Sequence, residues 1–172
     1  MTTATDVLVE IEESIHVEAP PEMVWGCVCD ITRHPQYAGP KSITKEIEFD
    51  GEIVPGARWI SHEKFGPQKF DAPSEITDVD PGRHLAWVSF PPFKEENRGD
   101  GGRVFWSYTI EPEHTGTRLT HHMQVLPPEK GAAQLKAMYA LFRLPTKQRR
   151  GVHTTLENIK AWAEAEMGQD ED

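Results

Sequence analysis

The sequence has few cysteines, which build disulfide frameworks, and no long apolar stretch of the kind that spans a membrane. It contains two cysteines in 172 residues, and no apolar run approaches the roughly 20 residues that a membrane-spanning helix requires. The opening residues, MTTATDVLVE, lack the basic start and the apolar block of a signal peptide. We therefore predict a cytoplasmic protein with reduced thiols and no integral membrane segment.

Motifs for metals and cofactors are also missing. The two cysteines stand in WGCVCDITRHP, where Cys27 and Cys29 point about 200° apart at helical spacing and His34 follows. No CxxC, HxxxH or HExxH spacing occurs, nor GxGxxG, GxxxxGK[ST] or GxSxG. The other histidines outside the apolar alternations are scattered over different elements: His16, His34, His62, His84, His114, His122 and His153. We expect structural cysteines, no metal and no cofactor.

Positive charge is in short supply, with 18 Lys and Arg against 28 Asp and Glu and a formal net charge of −10. Such a chain is repelled by nucleic acid, which we do not expect as a partner. The exception is a basic group around Pro145, formed by Arg143, Lys147, Arg149 and Arg150. It is either a solvated face that balances nearby acids, a receiver for a carboxylate or phosphate headgroup at a pocket mouth, or a contact for an acidic partner.

Strand patterns dominate what is present. Residues 9–19 alternate apolar and polar side chains, and Glu13 is the one polar residue in the apolar register. Two short helices, PPEMVW and ITRHPQYA, follow, and His34-Pro35 restricts His34 to extended backbone. Six further strands are predicted from the runs SITKEIEF, ARWISHEKF, KFDAPSEITDV, HLAWVSF, RVFWSYTIEP and TRLTHHMQVL.

The remaining segments are a long helical region and a glycine-rich loop. Residues 127–168 carry apolar side chains at helical spacing, and Pro145 and Gly151 predict a kink or two helices in series. The loop PPFKEENRGDGG, residues 91–102, is the candidate for a mobile lid. The first six residues and the acidic GQDED end are predicted to be loose tails.

Five phrases in this order resemble the START-like superfamily of polyketide cyclases, lipid-transfer proteins and the birch-pollen allergen fold. They are IHVEAPPEMVWGCVCDITRHPQYA, VPGARW, EITDVDPGRHLAW, EPEHTGTRLTH and TLENIKAWAEA. The resemblance implies an α+β helix-grip fold, in which a curved seven-stranded antiparallel sheet encloses an apolar pocket with a long, kinked C-terminal helix. It implies one domain over residues 1–172, with a core at about 9–167, and provides no shared catalytic motif.

The alternation of side chains selects candidate pocket residues. Trp106, Tyr108 and Ile110 share one face of the sixth strand, and Leu119, His121, Met123 and Val125 share one face of the seventh. Met138, Phe142, Leu156 and Ile159 should face the sheet from the helices. The predicted ligand-binding set is Trp25, Trp59, Trp87, Trp106, Tyr108, His121, Met123, Met138 and Phe142. The simpler interpretation is that these aromatic residues only fill the core.

Glu13 and His121 interrupt apolar alternations, and the implied fold makes their strands neighbours. A carboxylate and an imidazole in an apolar cavity could orient a ligand or transfer a proton, with Tyr108 as a hydrogen-bond donor. The alternative is that Glu13 reaches solvent and His121 is a hydrogen-bonded core histidine.

Three functions stay open at this point. The first is binding or transport of a hydrophobic small molecule, such as a lipid, a polyketide or an isoprenoid-like compound. The second is a polyketide cyclase or dehydratase that uses Glu13, His121 and Tyr108. The third is a protein-interaction module with a filled core. Either a monomer or a homodimer is compatible with the sequence.

Overall fold

A computed structural model describes residues 7–91 and 102–169 of the chain. Seven antiparallel strands form one curved sheet in the order β1-β7-β6-β5-β4-β3-β2. The strands are β1 (Val9–Val17), β2 (Thr44–Glu48), β3 (Arg58–Phe65), β4 (Gln68–Asp80), β5 (His84–Ser89), β6 (Arg103–Glu113) and β7 (Gly116–Leu126). Most of the predicted lid and the ends of both predicted tails lie outside the described residues.

Four α-helices and one short 3₁₀ turn complete the fold. They are α1 (Pro21–Cys29), the turn Ile31–Arg33, α2 (His34–Ala38), α3 (Ala132–Leu141) and α4 (Leu144–Met167). The α+β helix-grip architecture with two short helices after the first strand is therefore confirmed.

The C-terminal helical region consists of two helices in series. The chain breaks at Arg143, whose φ of 50° is the only positive value of a non-glycine residue in the part of the chain described. Pro145 lies in the first turn of α4, where a helix does not need its missing N–H. Gly151 lies inside α4 and does not interrupt it.

His34 departs from the backbone expected before a proline. It adopts helical angles of φ −51° and ψ −38° and begins α2. Its ring is buried and hydrogen-bonds through Nε2 to the Val28 carbonyl at 2.7 Å. Tertiary contacts therefore outweigh the local preference of a residue before proline.

The core lies between α4 and one face of the sheet, called the inner face below. On α4 the predicted stripe is buried, and on β7 every second residue from Thr117 to Val125 is buried. The helix packs on β1 and β7 and also contacts α1 and α2. The polar residues between them, such as His122, face the opposite side, called the outer face.

The described residues contain neither a membrane-spanning helix nor a cluster of metal ligands. No helix in the ranges 7–91 and 102–169 is long and apolar enough to cross a membrane. Within the same ranges, no three His, Cys, Asp or Glu side chains are grouped so that they could hold a metal ion.

We expect Gly116→Ala to destabilise the fold by at least about 3 kcal/mol. Gly116 has a φ of 135°, and an added Cβ would lie 2.3 Å from the Val17 carbonyl oxygen. Gly66→Ala is the matched control, because Gly66 has a φ of 59° and open space around it. Urea denaturation should show a loss of only about 1 to 2 kcal/mol for this control. Equal losses in the two variants would refute the close approach of β7 to β1.

Candidate functional site

Large rings from four strands lie side by side on the inner face. They belong to Trp59 of β3, Trp87 of β5, Trp106 and Tyr108 of β6, and His121 of β7. Cross-strand register places them together, because Trp87 is the partner of Trp106 and Tyr108 is the partner of His121. Side chains of paired residues in antiparallel strands point to the same face of a sheet.

The rings contact one another in an unbroken aromatic row. Ring centroids are 6.1 Å apart for Trp59 and Trp87, and 6.1 Å apart for Trp87 and Trp106, which stack at an angle of 12°. The His121 ring stacks on Tyr108 at 4.2 Å and on Trp106 at 5.7 Å. The aromatic row therefore extends from β3 to β7.

His34 covers the aromatic row from the helical side. Its ring centroid lies 5.4 Å from that of Trp87 and 5.7 Å from that of Tyr108. Burial lowers the pKa of His34, so the imidazole is neutral at pH 7. In the sequence His34 is one of several scattered histidines, because no local pattern shows which ring a short irregular helix turns inward.

His121 is the member of the aromatic row whose ring nitrogens are fully buried without a partner among the described residues. The residue is 3 % exposed, and neither Nδ1 nor Nε2 has a hydrogen-bond partner among the described residues. Burial, with a smaller contribution from His34 and His122, lowers the pKa of His121 to about 3. The ring is therefore neutral at pH 7, with one donor and one acceptor nitrogen available to a ligand.

Glu13 lies next to His121, as the sequence analysis expected, but its carboxylate is held by another group. The two residues are direct cross-strand partners in the β1–β7 register. The Glu13 carboxylate accepts a hydrogen bond from Arg149 Nη1 of α4 at 2.5 Å, and its side chain is 28 % exposed. The His121 nitrogens remain without this carboxylate as a partner.

The other predicted ligand-binding residues lie at different depths. Met123 is buried on β7, opposite Trp106 and Ile11. Trp25 of α1 is half-buried against the core, and Met138 of α3 is half-buried. Phe142, which we expected to face the sheet, follows the last residue of α3 and is 46 % exposed. The break at Arg143 ends the helical spacing on which that expectation rested.

Two polar residues of β3 were missed by the sequence analysis. Ser61 accepts a hydrogen bond from the indole nitrogen of Trp59 at 3.2 Å. Glu63 shares the inner register of β3, and burial raises the pKa of its carboxyl to about 7. Both follow Trp59 at intervals of two, and that spacing is the available signal, but the sequence alone does not decide the register of this strand.

Two open clefts lie along β3 and β4, away from His121. The first has a volume of about 410 Å³ and is lined by Arg58, Trp59, Ile60, Pro73, Ser74, Glu75 and Phe90. The second, of about 600 Å³, is lined by Lys45, Glu46, His62, Glu63, Lys64, Lys69, Phe70 and Asp71. Because both His121 nitrogens are fully buried, a ligand reaches them only if neighbouring side chains move.

Comparison with protein families identifies relatives of this chain. Residues 9–164 match the family described as polyketide cyclase / dehydrase and lipid transport. This match confirms the resemblance seen in the sequence. A comparison with curated protein sequences found no match.

Solved structures share the fold at low sequence identity. The Zhui aromatase/cyclase from Streptomyces sp. R1128 superposes with a TM-score of 0.67 at 18 % identity, covering 90 % of this chain and 93 % of that one. The di-domain ARO/CYC StfQ of the steffimycin biosynthetic pathway gives a TM-score of 0.66 at 15 % identity, with 93 % of this chain and 52 % of that one covered. The Polyketide_cyc-like protein Cgl2372 from Corynebacterium glutamicum gives a TM-score of 0.58 at 24 % identity, covering 97 % of this chain and 96 % of that one. At these identities the likeness establishes the fold alone.

We expect burial of neutral His121 to make stability depend on pH. The unfolded chain takes up this proton near pH 6.5, whereas folded His121 stays neutral until about pH 3. The unfolded state therefore binds more protons below pH 6.5, and stability falls as the pH falls. Between about pH 7 and pH 5 this residue should account for a loss of about 2 kcal/mol. Urea titrations at the two pH values should show that the His121→Phe variant loses about 2 kcal/mol less stability than the wild type. Equal losses of stability would contradict a buried, neutral ring.

Proposed function

Because this chain belongs to the polyketide cyclase / dehydrase and lipid transport family, we propose that it binds a hydrophobic small molecule between the inner face and α4. The ligand is a lipid, a polyketide or an isoprenoid-like compound, and the protein acts as its carrier. The aromatic row supplies the apolar contact surface, and rigid rings offer a large contact area with little loss of side-chain entropy.

The observation that carries this proposal is the unpartnered imidazole of His121. Buried polar groups in folded proteins nearly always have a hydrogen-bond partner, and one left without any lowers stability. His121 has two such nitrogens in the middle of the aromatic row. A ligand hydroxyl or carbonyl placed on the row would satisfy one of them and would fix the orientation of the ligand.

The ionisation of the site favours an uncharged polar group on the ligand. The His121 ring is neutral because burial lowers its pKa to about 3. Burial also raises the pKa of the Tyr108 hydroxyl, which keeps the phenol protonated. The centre of the row is therefore uncharged at pH 7. The carboxylate of Glu13, the cross-strand partner of His121, pairs with Arg149.

We expect hydrophobic ligands to quench the tryptophan fluorescence of this protein, because the aromatic row contains three of the five tryptophans. Titrations with oleic acid, a tricyclic anthraquinone and an isoprenoid quinone compare the three ligand classes. His121→Phe should weaken binding of the best ligand by about 3- to 10-fold, since one hydrogen bond is lost.

His122→Phe is the matched control for this titration. His122 is the next residue on β7, but it faces the outer side of the sheet and bonds to Glu10. It should bind like the wild type. Failure of all three ligands to bind, together with native mass spectra that show only unliganded protein, would favour the third function, an interaction module with a filled core.

A second candidate function is a polyketide cyclase or dehydratase, which the direct pairing of Glu13 with His121 favours. The two groups could remove and return a proton during an aldol condensation and loss of water. Two observations place this candidate second. The Glu13 carboxylate already binds Arg149, and an imidazole with a pKa of about 3 is a weak base at pH 7.

Under the enzymatic alternative, Glu13→Gln should lower kcat for a linear poly-β-ketone by about 100-fold or more. Under the carrier proposal the same variant should leave the affinity for the best ligand within about threefold of the wild type. Chromatography of the reaction products separates the two, because only the enzyme yields a cyclised product above the uncatalysed background.

A further inference from the structure

The junction between α3 and α4 exposes adjacent apolar and basic side chains. Leu141 is 77 % exposed and Phe142 is 46 % exposed. Arg143 follows directly, and Lys147 and Arg150 lie in the first two turns of α4. These five residues are called the junction patch below. Adjacent exposed apolar side chains of this size are a recognised mark of an interaction site.

The three cations of the junction patch share one side of α4. Residues at i, i+4 and i+7 fall within about 60° of one another around a helix. The buried stripe of the same helix, which includes Val152 and Ile159, lies on the opposite side. The cations therefore point away from the sheet.

None of these three cations forms a side-chain ion pair or hydrogen bond within the described ranges 7–91 and 102–169, where all three are exposed. Other cations of α4 do have partners, since Arg149 binds Glu13 and Lys160 binds Glu164. Direct pairing with nearby acids, which Arg149 and Lys160 show, is therefore not observed for Arg143, Lys147 and Arg150 in the described part of the chain.

The position of these three cations at the N-terminal end of α4 also lowers the stability of that helix. The first turn of α4 contains no acidic residue, and the N-terminal end of a helix carries partial positive charge. Three further positive charges at that end destabilise the helix. A group that lowers stability and has no partner among the described residues requires another explanation for its placement.

We propose that the junction patch docks the protein on an anionic lipid bilayer. Leu141 and Phe142 enter the interface, and Arg143, Lys147 and Arg150 meet the phosphate and carboxylate groups of the lipids. The inference rests on the proposed carrier function, which requires a source or a destination for an apolar ligand. Docking would place the bilayer beside α4, whose Arg149 reaches Glu13 on the inner face.

The dimensions and charge of the patch favour a bilayer over an acidic protein. A specific protein interface usually buries at least about 1,000 Å² in total, which is more than five side chains at a helix junction provide. A bilayer needs only a few inserted apolar groups and local positive charge. The whole chain has a net charge of −10 and is repelled by an anionic surface, so only this basic patch faces it.

Vesicle flotation tests the proposal with full-length protein. The wild type should bind vesicles of phosphatidylcholine with about 30 mol% phosphatidylserine and should not bind pure phosphatidylcholine. Lys147→Glu with Arg150→Glu should lower binding at least about 25-fold, because each cation near such a surface adds about fivefold to affinity. Leu141→Ser with Phe142→Ser should also weaken binding.

Matched controls are available at the turn between β3 and β4. Lys64→Glu with Lys69→Glu makes the same change in net charge, and Phe65→Ser removes an apolar side chain that is 41 % exposed. Both controls should bind like the wild type. The junction charge reversals should raise the melting temperature, since they relieve the opposition to the helix dipole. A loss of binding therefore does not reflect unfolding.

Three outcomes would overturn the proposal: no binding to the anionic vesicles, equal binding to both vesicle types, or an equal loss in the controls. Capture of an acidic protein through the patch without vesicle binding would overturn it as well. The fluorescence titration with soluble ligands separates this failure from failure of the carrier function, because ligand affinity is measured there without vesicles.

Discussion

The pairing of the first strand with the last determines most of this structure. β1 and β7 are about 100 residues apart in the chain, and their antiparallel register runs from Val9 with Val125 to Val17 with Thr117. This pairing brings Glu13 beside His121 and places β1 where α4 can pack on it. A shift of one residue would turn every side chain of β1 to the other face and would expose the apolar half of the strand. The inner face depends on this register.

Histidine side chains have different surroundings on the two faces of the sheet. On the outer face, histidines lie beside carboxylates, as His16 with Glu113, His122 with Glu10 and His62 with Asp71. These pairs provide hydrogen-bond partners at half-exposed positions, where the desolvation cost of a charged group is small. On the inner face His121 has no such partner in the part of the chain that the structure describes, and burial keeps it neutral. These three outer-face histidines therefore have carboxylate partners, whereas the buried ring of His121 has none among the described residues.

Strain and unmet polarity are concentrated near α4 and the strands beneath it. Arg143 adopts a left-handed backbone, three cations stand at the positive end of a helix, and His121 lacks partners. Each feature lowers stability, and each lies on or near the surfaces that we propose for ligand and lipid. Elsewhere the core consists of buried apolar contacts. Features that lower stability are expected where function, and not folding, determines the residues.

The sequence by itself determined the class of the fold, because alternation and helical spacing are local patterns that burial imposes on neighbouring residues. The seven strands, the stripe of α4 and the inward faces of β6 and β7 could all be predicted in this way. Only the tertiary structure decided which polar groups meet. Arg149 takes the Glu13 carboxylate that the sequence assigned to His121, and the His34 ring turns inward onto Trp87 and Tyr108. Phe142 is 46 % exposed at the point where the chain breaks before α4. Such contacts join residues that are distant in the chain, and their geometry follows from packing, which no local pattern encodes.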